Sequence, residues 1–305
     1  MLEPAKSLFK FLRHLNWLEF ARRVYTKSDA TDVLGRSANV GFYFSFAFFP
    51  LLFFLISLFG LVLDSTENLR GELFRYLGQV MPRSAYELVH TTVEEVIENS
   101  SSGKLTVGLL ITLWSASVGA TSIRNAMNAV YELKETRPWW QTRLQSLVLT
   151  LMFILLMALG LIVVTLGWQA IEAVIDAARI GVASGWIQNL IEWSVVILLM
   201  ILVTSVIYSW VPNFKKFHWY WISPGAIIAI VLWIVFTSGF RLYLQYFNTY
   251  NKTYGSLGAV IILMLWMYLT GMAIILGGVI NSVLTDMYAE SQVDAKRPNI
   301  PADDL

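Results

Sequence analysis

"TYGSLGAVIILMLWMYLTGMAIILGGVINSVLT" occupies Thr253–Thr285, 33 residues without Asp, Glu, Lys or Arg. A helix rises 1.5 Å per residue, so about 20 such residues cross the roughly 30 Å hydrocarbon layer of a bilayer. The whole chain shares this bias. Of its 305 residues 56% are apolar and 14% charged, with a mean hydropathy of +0.60. Soluble domains carry about 25% charged residues and keep much of their outside polar. The apolar excess therefore implies that lipid covers the outside.

Five more charge-free stretches are Ser37–Leu63, Leu105–Ile123, Leu144–Ile171, Trp193–Phe214 and Phe217–Phe240, with Pro212 and Pro224 bracketing the fourth-to-fifth turn. Backbone groups in lipid must pair within their own segment, so the spans are helices. The alternation of barrel strands is missing. The fold class is an all-α polytopic bundle of six transmembrane helices plus interfacial amphipathic helices. Three regions follow: a cytoplasmic amphipathic segment over 1–36, the six-helix domain over 37–288 with an outer loop at 64–104, and a flexible cytoplasmic tail over 289–305.

Orientation follows from loop Lys and Arg, which collect on the cytoplasmic side. Fourteen lie on the side of both termini and six on the other; Arg124 and Arg241 are the remaining two. Both termini are expected in the cytoplasm of a bacterial inner-membrane protein. The start of the chain lacks a continuous apolar region and a small-residue cleavage site, so it is read as uncleaved.

Residues 6–25 place Leu8, Phe11, Leu12, Leu15 and Leu18 at helical spacing beside Lys6, Lys10 and Arg13. This is an interfacial helix, either a topology anchor or a binder of anionic lipid. The outer loop predicts two short amphipathic helices, one through Leu69, Leu73, Leu77 and Val80, the other through Tyr86, Val89, Val93 and Val96. It is a binding element or a solvated acidic cap. "SSSG" (Ser100–Gly103) forms a flexible joint. Residues Trp168–Trp186 are expected to lie flat on the outer interface.

Chemistry finds little support. Net charge is +1, which gives no field for nucleic acid, and there are no cysteines. His14, His90 and His218 lie in separate segments and form no zinc-binding pair. No phosphate-cradling glycine loop precedes a Lys; "GKLTVG" (Gly103–Gly108) lacks it. No catalytic residue, metal site or cofactor is expected, and the chain is read as a non-enzyme.

Polar and small residues within the spans are the remaining candidates. A charge at mid-bilayer costs at least about 3 kcal/mol, which makes it a functional candidate by default. Arg124 lies 20 residues beyond Lys104, about 30 Å along the helix, and so near the cytoplasmic boundary where it can snorkel. Asn125 and Asn128 extend that patch, and Asn281 should reach the same depth. Arg241 ends the fifth span near the outer surface, where it can pair with an acidic loop residue, meet a lipid phosphate or snorkel. Ser45, Pro50 and Tyr254 complete the substrate or cavity candidates, Pro50 as a kink. Gly41, Gly119, Pro224, Gly225, Gly255, Gly271, Gly277 and Gly278 are candidates for close packing or hinges.

Four motifs in order, "GFYFSFAFFPLLFFL" (Gly41–Leu55), "WSASVGATSIRNAMNAVY" (Trp114–Tyr131), "SPGAIIAIVLW" (Ser223–Trp233) and the Thr253–Asn281 part of the opening stretch, resemble the YihY/BrkB family of bacterial inner-membrane proteins. The resemblance covers about residues 30–288. It implies six helices in the cytoplasmic membrane, and envelope or lipid-related transport or a virulence-associated role. The family's former ribonuclease BN label runs against the histidine and charge pattern here. With no mid-membrane carboxylate to relay protons, the preferred function is a transporter, exporter or flippase-like protein for a hydrophobic or amphiphilic envelope substrate. The alternative is a non-transporting envelope scaffold. Expected partners are membrane lipids, anionic lipid or glycolipid among them, and not nucleic acid.

Overall fold

A computed structural model describes residues 15–62, single positions between 71 and 94, and residues 105–177, 184–215, 223–246 and 256–296. Side chains are described at 15–48, 113–160, 190, 193–215, 223–246 and 258–292, and at some positions of 71–94. Every regular element among them is an α-helix. They are α1 (Trp17–Ala30), α2 (Val33–Val62), α3 (Leu105–Val130), α4 (Trp139–Ala177), α5 (Ser184–Ser209), α6 (Pro224–Tyr246) and α7 (Ser256–Lys296).

The six oily stretches fall on α2 to α7 in order. Among the described residues three helices are long and apolar enough to cross a membrane: Trp139–Gly160, Pro224–Tyr246 and Gly258–Gln292. A shorter apolar helix covers Trp193–Ser209. Each of α2 to α6 packs on the next, and α7 closes the ring against α2 while also touching α3. The N-termini of α2, α4 and α6 and the C-termini of α3, α5 and α7 gather at one end, called proximal below.

Local chemistry sets the breaks at that end. The Asn16 side chain caps α1 by accepting the Glu19 N–H at 3.3 Å. Asp32 turns the chain into α2 at φ 49, and its carboxylate accepts the Gly35 N–H at 3.1 Å. Glu132 takes the left-handed conformation, φ 55, just past α3. There the Leu133 N–H reaches the Asn128 carbonyl (2.7 Å) and the Glu132 N–H the Ala129 carbonyl (3.1 Å), a Schellman closure without the usual glycine. Pro224 opens α6, where its missing N–H is no loss, and the Ser223 hydroxyl accepts from Ala226 at 3.1 Å.

Unlike a soluble bundle, this one is apolar outside as well as inside. Leu144, Val148, Leu151, Leu155 and Leu159 form an exposed stripe along α4, and Ile227, Val231, Ile234 and Val235 one along α6. Hydroxyls are buried among the apolar core residues: Ser37, Ser45, Ser117, Ser122, Ser146, Thr150, Thr204, Ser205 and Thr237. The proximal half is filled by a cluster including Val40, Ile123, Met127, Val130, Ile207, Tyr208, Ile275 and Val279. Close approach needs glycine at two points of one seam. A Cβ on Gly41 would lie 2.7 Å from the backbone of Tyr268, and one on Gly271 2.9 Å from Val40, so α2 and α7 touch nearly backbone to backbone.

Three local expectations are corrected. Residues 168–177 continue α4 rather than starting a separate flat helix; no proline interrupts the run, and Gly160 and Gly167 are carried within the helix. Residues 289–296 are helical, an extension of α7 held by ion pairs to α1, so the tail is helical further than its polarity implied. The N-terminal amphipathic helix is seen as Trp17–Ala30, further along than 6–25; residues 1–14 lie outside the described ones. Helical positions between 71 and 94 bury Phe74, Leu77 and Val89; Leu69, Leu73, Val80, Val93, Val96 and "SSSG" lie outside the described residues.

Candidate functional site

The proximal end concentrates the polar candidates. Arg124 is 7% exposed and points from α3 into the α4 seam. Its Nη1 donates to the Thr142 carbonyl at 2.5 Å and to Ser146 Oγ at 2.9 Å. Its Nε lies 3.8 Å from Glu135 and has no hydrogen-bond partner. Thr121 and Ser146 hydroxyls meet at 3.0 Å alongside. A buried charge is tolerable only when paired and hydrogen-bonded, and Arg124 has both kinds of partner.

Asn128, one turn further, links three segments. Its Nδ2 donates to Glu135 at 3.0 Å, and its Oδ1 accepts the Asn213 backbone N–H at 2.8 Å. The Asn213 side chain donates in turn to the Lys134 carbonyl (2.9 Å) and to Thr136 Oγ1 (3.0 Å). Glu135 receives Arg137 through both terminal and inner nitrogens at 2.7 Å. That bond chiefly, against the opposing pull of burial, draws the Glu135 carboxyl down to about 2. Gln145 ties α4 to the end of α5 by donating to the Trp210 carbonyl at 2.9 Å.

Asn281 stands at the same end but in a separate pair. Its Oδ1 accepts the Gly225 N–H and its Nδ2 donates to Ser223 Oγ, both at 2.8 Å, so α7 caps the first turn of α6. Gly225 and Gly277 face one another there. A Cβ on Gly225 would meet Asn281 at 2.6 Å, and one on Gly277 the Gly225 carbonyl at 2.5 Å. The Tyr208 hydroxyl donates to the Ile274 carbonyl at 2.7 Å beside them. Gly278 packs on Met127 and Gly119 on Phe44 and Ala47.

Other candidates stand apart. Asn125 is exposed and does not join the Arg124 patch, because it faces away from α4. Ser45 is buried and spends its hydroxyl on the Gly41 carbonyl of its own helix at 2.8 Å. α2 continues through Pro50, whose side chain lies outside the described residues, as do Tyr254 and Gly255. Arg241, at the opposite end, is half-buried and makes no ion pair among the described residues: it donates to the backbone carbonyls of Gln79 and Met81, the latter at 3.1 Å.

Sequence reasoning passed over Glu135, Asn213, Gln145 and Arg143. Glu135 is the only acidic residue between Leu133 and Ile171, which is the one signal available. Asn213 and Gln145 act through backbone groups distant in sequence and leave none. Among the described residues no group of three His, Cys, Asp or Glu is placed to hold a metal ion.

A second polar feature lies on the proximal surface. Arg23 of α1 bonds both carboxylate oxygens of Glu290 at 2.8 Å and Glu19 at 2.6 Å. Lys27 reaches Asp286 at 3.0 Å and Glu132 at 3.2 Å. The open groove between α1 and the end of α7 has a volume of about 820 Å³.

Residues 24–301 match the family described as Virulence factor BrkB. The chain is also 31% identical over 267 residues to a protein of Bacillus subtilis (strain 168) that carries a ribonuclease-like name, YfkH; the match covers 88% of this chain and 95% of that one. No solved structure matches it. A chain whose described elements are all helices, with apolar helices long enough to cross a membrane and a match over most of its length, is thus a membrane protein that belongs to the BrkB virulence-factor family.

Proposed function

We propose that the protein crosses the bacterial inner membrane six times, with its proximal end in the cytoplasm, and moves an amphiphilic envelope lipid across or within the bilayer. The observation that carries this reading is the apolar outer face of α4: Leu144, Val148, Leu151, Leu155 and Leu159 are exposed, although the opposite face already buries Leu149 and Ile154 beside Ser146 and Thr150. Exposed apolar stripes of this length need lipid around them. The loop Lys and Arg bias supports the orientation. Reporter fusions at Ser100 and at the C-terminus should report opposite compartments; the same compartment for both overturns it.

The substrate class rests on the charge inventory. The sequences of α2, α3, α5 and α6 carry a single carboxylate, Glu192 near the start of α5. Buried hydroxyls such as Ser37, Ser45, Ser117 and Thr150 donate to carbonyls of their own helices and keep acceptor lone pairs among the apolar side chains. An amphiphile whose tail stays in lipid needs few buried charges for its head. Vesicles with and without the purified protein should differ in translocation of a fluorescent anionic phospholipid. Equal rates reject the transport reading.

The packed proximal core, with Asn128, Asn213 and Asn281 bonded across helix ends, favours a second reading, a non-transporting envelope scaffold. Single cysteines along α3 and α7 distinguish the two, because only a transporter exposes interior positions to aqueous thiol reagents. The ribonuclease-like name of the Bacillus relative is not carried over. Our reading assigns no RNA cleavage to the pure protein, with or without added divalent metal, and that assay is its check.

A further inference from the structure

Arg143 has no acidic partner where it most needs one. It lies three residues past Trp140, and the exposed Trp139 and Trp140 mark the headgroup level at which indoles settle. Its Cα is therefore about 4.5 Å deeper than Trp140. The side chain does not turn back toward water. It reaches along α3, where its guanidinium sits 3.6 Å from the Trp114 ring centre and its Nη2 donates to the Trp114 carbonyl at 3.0 Å. Trp114 lies ten residues, roughly 15 Å, on the membrane side of Arg124.

The contrast with Arg124 is decisive. Arg124 has Glu135 beside it, whereas Arg143 makes no ion pair among the described residues. The sequence leaves none within reach on the helices around it. α2 and α3 contain no Asp or Glu, and the first on α4 is Glu172, 29 residues on. Arg143 Nε is buried without a hydrogen-bond partner. A guanidinium has five donors in a planar fork suited to phosphate, and one carbonyl and one ring leave most of them unused.

What lies beside it is lipid-facing. Trp114 is 49% exposed, and on α4 the adjacent Leu144 and, a turn further, Val148 are exposed as well. We propose that Arg143 and Trp114 form a binding site in the α3–α4 groove for the phosphate of an anionic phospholipid. The lipid's phosphate takes the free edge of the guanidinium, its tails run inward from Val148 along the exposed Leu151 and Leu155 of α4, and the indole holds the guanidinium in place by cation–π attraction. The site rests on the membrane embedding proposed above and not on transport.

Native mass spectrometry of the full chain in gentle detergent, titrated with phosphatidylglycerol or phosphatidylcholine, tests this. The unaltered protein should retain phosphatidylglycerol in clear preference. Equal retention of the two overturns the proposal without any variant. Arg143→Gln should weaken phosphatidylglycerol retention about tenfold, Arg143→Lys less, and Lys134→Gln in the neighbouring loop not at all. Retention unchanged in Arg143→Gln overturns it, as does displacement of the lipid by millimolar inorganic phosphate, which would assign the site to a free anion. Lipid retention that depends on Arg143 without translocation in vesicles leaves the site standing and removes the transport reading; translocation without such retention does the reverse.

Discussion

Asn128 and Asn213, 85 positions apart, are joined by a 2.8 Å hydrogen bond from the Asn213 N–H to the Asn128 side chain. One amide thereby fixes the end of α5 against the end of α3. Asn128→Ala strands that N–H and removes one donor from Glu135. The expected loss is about 1–3 kcal/mol, read as a lower midpoint of thermal unfolding in detergent. An unchanged midpoint shows the bond to be dispensable.

Gly41 and Gly239 make a matched pair. The same methyl group meets the Tyr268 backbone at Gly41 and nothing within 4 Å at Gly239. Gly41→Ala should destabilise by about 1–3 kcal/mol by forcing α2 away from α7. Gly239→Ala should be neutral or gain up to about 1 kcal/mol through helix propensity. Thermal unfolding of both variants side by side decides, and equal effects would show that the contact does not constrain the helices.

Acid should loosen the proximal end. Glu135 is drawn from its ordinary 4.5 to about 2, chiefly by its bond from Arg137, and Glu290 is lowered by its bond from Arg23. A carboxyl whose folded value is depressed contributes fully above its unfolded value and loses that contribution as pH falls toward the folded one. Stability should therefore decline between about pH 4.5 and 2. Glu135→Gln should flatten part of that decline when unfolding midpoints are measured across the range.

The clasp between α1 and α7 should be salt-sensitive. Its ion pairs are largely exposed, so they contribute little to overall stability and are screened by added salt. Lys27→Ala and Arg23→Ala together should speed tryptic cleavage at Arg22 severalfold while leaving the unfolding midpoint almost unmoved. Raising salt should do the same to the unaltered protein. Cleavage that ignores both changes means that Phe20 and Val24, packed on the core, hold α1 without the charges.

Much of the architecture was readable from residue type and run length. The opening Thr253–Thr285 stretch lies in α7, and each other charge-free run falls on a helix, because a backbone in lipid has one way to satisfy itself over such lengths. Polar tails misled. The charged residues after Ala289 read as loose, yet α7 continues through them because Asp286 and Glu290, one turn apart, meet Lys27 and Arg23. A pattern within one segment cannot reveal a partner more than 250 positions away.

The polar sites divide along the same line. Arg124 and Asn128 were visible as polar residues one turn apart on an oily helix, and Asn281 as their counterpart in depth. Which atoms they bond was not visible: Asn281 caps α6, Asn125 turns outward, and Arg241 takes two backbone carbonyls. Arg143, one of three basic residues in its loop, gave no sign of lying over Trp114.

The sequence by itself determined an oily helical membrane protein, the order of its helices and the end where its basic residues gather. Those properties follow from transfer of side chains between water and lipid, which depends on residue type and run length alone. Only the tertiary structure decided which polar side chains are buried with partners and which arginine is left without a carboxylate. Those outcomes depend on how helices pack in three dimensions, and hydrogen bonds act over about 3 Å whatever the separation along the chain.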